Sequence, residues 1–187
     1  MRLDKFLSWE ARQDRKYEFA GFQPVAMTGG TAAHSSIQRN LAIAVGGRLR
    51  GKPCVFSGND LNIEVAGSIR YPDGFVVCMP IPSRSTVVRD PMVIFEVLSP
   101  STSGTDRIAK NQEYAATPSV RRYVMLEQDR IAATVFARDG ADWVGHILPD
   151  GATLALPEIG IELKLAELYE GIDLGDASRL AADDGQD

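Results

Sequence analysis

One apolar run with an acid near its centre constrains this chain more than any other feature. Residues 92–98 are apolar except for Glu96, and a continuous run of this kind predicts a central strand that is covered on both faces. Acidic residues are depleted in strands and are rarely buried without a partner. Glu96 is therefore expected to bind a metal ion, to pair with an arginine, or to leave the sheet at the end of the strand.

A second acid, Asp73, follows Pro72 inside another predicted strand, residues 69–79. If this strand pairs with the one that carries Glu96, the two backbones lie about 5 Å apart and both carboxylates can occupy the same side of the sheet. Mg²⁺ is typically held by one or two carboxylates together with water and phosphate oxygens. The two acids thus form a candidate site for a divalent cation.

A lysine follows in the next predicted helix, residues 106–116. Asp106, Lys110 and Tyr114 are spaced by four residues and share one helix face. Because this helix begins soon after the strand of Glu96, Lys110 is placed to approach the metal site, where it would orient water or stabilise negative charge. The alternative is a surface ion pair between Asp106 and Lys110, which contributes only about 0.3 to 0.5 kcal/mol.

The order of predicted elements indicates an α/β (α+β) fold with a mixed central sheet flanked by helices and a C-terminal antiparallel meander. Predicted helices cover residues 3–14, 31–50, 106–116 and 165–169, and predicted strands cover 17–27 (as two), 54–65, 69–79, 92–98, 120–127, 131–138, 143–148 and 153–156. Residues 80–91, rich in proline, are expected to form a loop. We expect a single domain over residues 1–174, followed by an acidic, disordered tail at 175–187.

The composition is that of an ordinary globular chain. Of 187 residues, 44% are hydrophobic and 24% are charged, which argues against a disordered or fibrous protein. No apolar run approaches the roughly 20 residues of a membrane span, and residues 1–10 lack the pattern of a secretory signal, so a cytoplasmic protein is expected. Cys54 and Cys78 fit neither a zinc cluster nor a disulfide framework and are predicted to be small buried hydrophobic residues.

Several stretches together resemble the Uma2 family of restriction-endonuclease-like proteins, within the PD-(D/E)XK nuclease superfamily. They are Tyr17-Glu18-Phe19, the turn at residues 27–30 with His34, Tyr71-Pro72-Asp73, the run from Phe95 to Thr102, Asp106-Arg107 with Lys110 and Tyr114, and Arg122-Tyr123-Val124. The resemblance covers about residues 17–139. The segment EVLSPST followed by D-R-x-x-K-x-x-x-Y is its most specific part.

The resemblance implies a nuclease core in which Asp73 and Glu96 bind Mg²⁺ or Mn²⁺. The superfamily normally has a lysine two residues after the second acid, but Leu98 occupies that position here. Lys110 is then expected to supply the amine from the following helix, and Glu18 to complete the catalytic set. The predicted activity is metal-dependent hydrolysis of DNA phosphodiester bonds. The alternatives are a catalytically inactive domain that binds nucleic acid or protein, and a hydrolase of small phosphodiesters.

Substrate contacts are predicted at His34, Arg39 and Tyr114. His34 lies near a predicted helix N-terminus, a natural position for binding phosphate. Arg39, Arg48, Arg50 and Lys52 lie on or just after the long helix and are candidates for the wall of a DNA groove, with a solvated helix surface as the alternative. The formal net charge of −5 gives no support to nucleic-acid binding. A homodimer is expected because a two-fold pair can cut both strands of a duplex.

Overall fold

The structure is a computed structural model that describes residues 1–27, 29–99 and 104–174. The helices are α1 (Leu3–Glu10), α2 (Ala32–Leu41), α3 (Gly47–Leu49) and α4 (Gly104–Ala116), with a π-helical turn at Ala42–Gly46 and 3-10 turns at Pro157–Ile159 and Leu165–Tyr169. The strands are β1 (Tyr17–Ala20), β2 (Gln23–Ala26), β3 (Val55–Gly58), β4 (Asn62–Val65), β5 (Ser68–Arg70), β6 (Gly74–Val77), β7 (Val87–Val88), β8 (Val93–Val97), β9 (Arg122–Leu126), β10 (Ala133–Asp139), β11 (Asp142–Leu148), β12 (Thr153–Leu156) and β13 (Ile161–Lys164). The predicted tail at 175–187 lies outside the described residues.

A six-stranded mixed sheet forms the centre of the molecule, with the strand order β11-β10-β9-β8-β6-β3. Strand β8 pairs in parallel with β9 and antiparallel with β6. Helix α4 makes the connection from β8 to β9, as a parallel pair requires. The apolar run at residues 92–98 is thus a central strand, and the α+β class with a mixed sheet is confirmed.

The two faces of this sheet are covered by separate hydrophobic clusters. Val93, Phe95 and Val97 belong to one cluster together with residues of α2, the π-helical turn and α3. Ile94 and Leu98 belong to the other, which includes Tyr114 of α4. Because side chains alternate along a strand, Glu96 lies on the face of Ile94 and Leu98, toward α4.

A second sheet, with the order β2-β1-β5-β4-β7, lies beside the first. Residues 54–65 and 69–79 were each expected to form one strand, but each divides into two strands that belong to different sheets. The first division falls at a turn containing Asn59 and Asp60, and the second at Pro72, which has no N–H to donate to a sheet. The acid next to that proline, Asp73, therefore lies where the chain passes from one sheet to the other.

The C-terminal region departs from the predicted meander at its last strand. Strands β9, β10 and β11 form the expected antiparallel meander. Strand β12 instead pairs with β13, which was not predicted, in a separate two-stranded sheet. Pro157 and the left-handed Gly160, with φ 63°, make the tight connection between them. Throughout the described residues, no helix is both long and apolar enough to cross a membrane.

The prediction that Cys54 and Cys78 are separate buried thiols is wrong, because the two form a disulfide bond. Strands β3 and β6 pair antiparallel with Val55 opposite Val77. The same register, extended by one residue, places Cys54 opposite Cys78. Sequence spacing could not reveal this proximity, since it depends on the pairing of two strands that are distant in the chain.

Candidate active site

Asp73 directly precedes β6, at the N-terminal end of that strand. Gly74 pairs with Phe95, so that register, extended by one residue, places Asp73 opposite Glu96. The Asp73 carboxylate accepts hydrogen bonds from Nε2 of Gln38 at 2.5 Å and from the backbone N–H of Val97 at 2.6 Å. These contacts hold the carboxylate at the end of β8.

An aromatic ring packs closely against the glycine after Asp73. A Cβ atom at Gly74 would lie 2.6 Å from Cζ of Phe56, on the neighbouring strand β3. That separation is well inside van der Waals contact, so the ring packs directly on the backbone that carries Asp73. Phe56 also contacts Phe95, with the ring centroids 6.2 Å apart.

Glu96 faces α4, where two polar side chains reach it. Lys110 Nζ lies 3.2 Å from Oε1 of Glu96, and the hydroxyl of Tyr114 donates to the same oxygen at 3.1 Å. Burial raises the pKa of Glu96 to about 7, and the negative charge of Asp73 adds to this shift while Lys110 opposes it. Glu96 is therefore an acid that titrates near neutral pH instead of one that is always ionised.

Lys110 is 8% exposed and is surrounded by carboxylates. Its Nζ lies 3.3 Å from Glu18, 3.2 Å from Glu96 and 3.8 Å from Asp106. Burial alone would lower the pKa of Lys110, but the three carboxylates outweigh it and raise the pKa above its ordinary value. The amine therefore stays protonated at any physiological pH. A surface ion pair would make Asp106 its main partner, but Glu18 and Glu96 both lie closer.

Glu18, on β1, links the lysine to a buried arginine. Its Oε1 contacts Lys110 and accepts the backbone N–H of Tyr71 at 3.2 Å, while its Oε2 accepts from Arg70 at 2.9 Å. Arg70 is 1% exposed and also donates two hydrogen bonds to the Glu113 carboxylate, at 2.7 and 2.9 Å. Glu18 thus lies at the site, with its oxygens engaged by cationic side chains and a backbone amide.

His34 approaches the site from the start of α2, where its backbone N–H donates to the capping side chain of Thr31 at 3.1 Å. Its Nε2 lies 3.3 Å from Oδ1 of Asp73. The hydrogen bond with Asp73 raises the pKa of His34 above its ordinary value, against the opposing effect of burial. The helix start therefore places an imidazole beside the first carboxylate.

The side chains surround an open cleft of about 380 Å³. It is lined by Glu18, Val25, Ala26, Met27, Gly29, Gly30, His34, Tyr71, Asp73, Glu96, Val97, Ser99, Asp106 and Lys110. Asp73, Glu96, Lys110, Glu18 and His34, all predicted from the sequence, thus meet in one place.

The other two predicted substrate contacts lie elsewhere. Tyr114 is fully buried behind Glu96 and does not line the cleft. Arg39 is exposed on α2 and lies outside the cleft.

Three polar residues of the site were missed by sequence analysis: Arg70, Glu113 and Gln38. An arginine in the strand pattern Ser68-Ile69-Arg70 carries the same signal that singled out Glu96, namely a charge inside a strand. Glu113 lies one helical turn after Lys110 on α4. The helix-face argument that singled out Lys110 could therefore have been extended to it. Nothing in the sequence marks Gln38, whose contact with Asp73 depends on the packing of α2 against the sheet edge.

The donor atoms suit a hard divalent cation. Asp73 and Glu96 offer carboxylate oxygens, the ligands that Mg²⁺ and Mn²⁺ prefer. In the described parts of the chain, no three His, Cys, Asp or Glu side chains are gathered closely enough to hold a metal ion on their own. A cation held here would draw its other ligands from water and substrate, as is usual for Mg²⁺.

The chain is similar to known proteins over most of its length. Residues 3–166 match the model of Uma2, described as "Putative restriction endonuclease". The chain belongs to the Uma2 family. An uncharacterized Synechocystis protein, slr1290, is 31% identical over 173 residues, which cover 90% of this chain and 91% of that protein. A second uncharacterized Synechocystis protein, sll1609, is 25% identical over 129 residues, or 66% of this chain and 73% of its own length.

A solved structure shares the Uma2 chain's fold. It is the crystal structure of a putative nuclease belonging to DUF820, from Anabaena variabilis. The two superpose with a TM-score of 0.75 over 90% of this chain and 97% of the other, at 16% sequence identity. At that identity the likeness establishes the fold, and the family description supports a nuclease.

Proposed function

We propose that this protein is a Mg²⁺- or Mn²⁺-dependent endonuclease that hydrolyses phosphodiester bonds in DNA. The observation that carries the proposal is the meeting of Asp73, Glu96 and Lys110 in one open cleft. The three side chains come from three elements, the start of β6, strand β8 and helix α4.

Asp73 and Glu96 are the residues that would hold the cation. When bound, the ion supplies activation of water and neutralisation of charge at the phosphorus. Glu96 must lose its proton to act as a ligand, and its pKa of about 7 makes that loss easy near neutral pH. Gln38 and the Val97 N–H restrain the Asp73 carboxylate, which limits its motion.

Lys110 supplies a fixed positive charge on the α4 side of the cleft. Because its pKa is raised, it remains an ammonium group and stabilises the negative charge that develops on the phosphate. Glu18 orients the amine and is itself held by Arg70. In this proposal Glu18 is a positioning residue, and the amine of α4 takes the place of the missing strand lysine at Leu98.

The test compares plasmid nicking in Mn²⁺ by the wild type, Asp73→Ala and Glu96→Ala. Both variants are expected to lose cleavage, because each removes one of the two carboxylate ligands. Asp142→Ala and Glu162→Ala, which alter exposed acids away from the cleft, are the matched controls and should cleave normally. Cleavage by either cleft variant at the wild-type rate would refute the proposal, as would equal loss in the controls.

We propose further that the active species is a homodimer, since two cleft copies related by two-fold symmetry can address the two strands of a duplex. The mass of the protein in solution, measured by light scattering with and without duplex DNA, tests this. A monomer that makes double-strand breaks in both conditions would contradict it.

A further inference from the structure

We propose that a second groove, which begins at Asp73 and runs along α2 and α3, binds the phosphodiester backbone of the DNA strand through Arg39 and Arg50. The inference rests on the proposed function, because it identifies where the substrate of that same cleft would lie. The groove is open and has a volume of about 970 Å³. Its walls come from the α2–α3 segment on one side and from β3 with the turn after it on the other.

The groove adjoins the carboxylate cleft at one residue. Asp73 lines both cavities. Gln38, which donates to Asp73, lines the groove as well. A polymer that lies along the groove therefore reaches Asp73, the acid that the groove shares with the cleft. A small phosphodiester would not need such an extended surface.

Two arginines supply the charge that a phosphate backbone needs. Arg39 and Arg50 are both exposed and both line the groove. Within residues 1–27, 29–99 and 104–174, neither makes an ion pair with an acid. Arg39 donates two long hydrogen bonds, from Nε and from Nη2, to Oδ1 of Asn40, each at 3.4 Å. Arginine binds phosphate well because its planar guanidinium presents several donors at once.

The two other basic residues of this region are engaged elsewhere. Arg48 forms an ion pair with Glu167 at 2.8 Å and donates to the carbonyl of Ala44. Lys52 donates to the carbonyl of Gly160 at 2.9 Å. Of the four positive charges that the sequence places on or after the long helix, the structure assigns only Arg39 and Arg50 to the groove.

The groove also has the shape for close approach of a backbone. Its lining includes Ala42, Gly46, Gly47 and Gly58, which have small side chains or none. A Cβ atom added at Gly47 or at Gly58 would meet no atom within 4 Å. The helix carries a π-helical turn at Ala42–Gly46, an irregularity that is frequent at functional sites.

Fluorescence anisotropy with a labelled DNA duplex in EDTA tests the groove, because metal-dependent cleavage is absent there. The arginine double variant Arg39→Ala/Arg50→Ala should bind more weakly. Its slope of log affinity against log salt should be shallower by about 1 for each phosphate contact removed. Arg48→Ala, the matched control on the same helical segment, should keep the wild-type slope. An unchanged slope in the double variant, or an equal change in the control, would overturn the proposal.

A charge added to the groove gives an independent check. Gly47 has helical torsion angles, φ −60° and ψ −44°, so Gly47→Glu and Gly47→Ala are both compatible with the fold. Gly47→Glu should weaken binding at low salt and Gly47→Ala should not. If the wild type does not cleave plasmid while these binding differences appear, the groove assignment is supported and the proposed nuclease activity is refuted. If the wild type cleaves plasmid while the binding differences are absent, the groove assignment is refuted and the proposed activity is not.

Discussion

The amine of Lys110 lies 3.2 Å from Oε1 of Glu96, although one residue belongs to helix α4 and the other to strand β8. The position where a strand lysine is expected, Leu98, is instead 6% exposed and part of the hydrophobic core. The helix that connects two parallel strands thus delivers a cation to the acid of the first strand. This relationship makes the amine testable separately from the carboxylates.

Lys110→Ala is expected to lower the rate of DNA cleavage at saturating substrate by at least ~100-fold, the scale for removal of one charge-stabilising group. The measurement is the initial rate of plasmid nicking, with circular dichroism to verify folding. Lys164→Ala, which removes a lysine bonded to Thr153 far from the cleft, is the control. A fall of less than about threefold would return Lys110 to a structural role.

The stability of the metal-free protein should depend on pH through Glu96. Its pKa rises from 4.5 to about 7 on folding, so between these values the folded protein keeps a proton that the unfolded chain releases. The free energy of unfolding therefore falls as pH rises through this window. Glu96→Gln cannot ionise and should show a flatter dependence in urea unfolding between pH 4.5 and 7.

Glu162→Gln is the matched control for that measurement, because Glu162 is exposed on β13. It should retain the wild-type dependence on pH. Identical curves for the wild type and Glu96→Gln would show that Glu96 keeps an ordinary pKa and that its contact with Lys110 outweighs its burial.

Metal binding should raise the melting temperature of the wild type. A ligand at one hundred times its Kd adds about 2.7 kcal/mol, which for a domain of this size is about 5 to 11 °C. Saturating Mn²⁺ should produce such a shift at pH 8, and a smaller one at pH 6, where Glu96 is largely protonated. Asp73→Asn should show almost no shift at either pH. A full shift in that variant would place the metal elsewhere.

The buried arginine should be the most costly charge to remove. Arg70→Ala leaves Glu18 and Glu113 without their common partner, and breaking a buried pair of this kind costs about 3 to 5 kcal/mol. Urea unfolding measures it. Arg89→Ala removes an exposed arginine paired with Glu64 and should cost less than about 1 kcal/mol. Equal losses in the two variants would contradict the central role of Arg70.

The local patterns of the sequence predicted much of this molecule. The apolar run around Glu96 is a central strand, and Lys110 approaches Glu96 from the helix that follows it, as the order of the elements predicted. Asp73 and Glu96 were found because acids inside strand patterns are unusual. Such arguments succeed where one segment carries the whole signal.

Features that depend on pairing between distant segments were not predictable. Arg70 contacts Glu18 because β1 and β5 pair within one sheet, with Phe19 opposite Ile69. The disulfide of Cys54 and Cys78 and the change of sheet at Pro72 have the same origin. A single sequence records local preference, whereas the register between strands is decided by the packing of the entire chain.

The contact of Phe56 with Gly74 couples the wall of the groove to the backbone beside Asp73. Phe56 lines the groove, and Gly74 is the residue that follows Asp73 in the chain. A larger residue at position 74 would displace the Phe56 ring or favour a smaller residue at position 56, and either change would reshape the groove wall. We therefore expect positions 56 and 74 to change together among relatives. A change in the groove wall would then accompany a change in the backbone that positions Asp73.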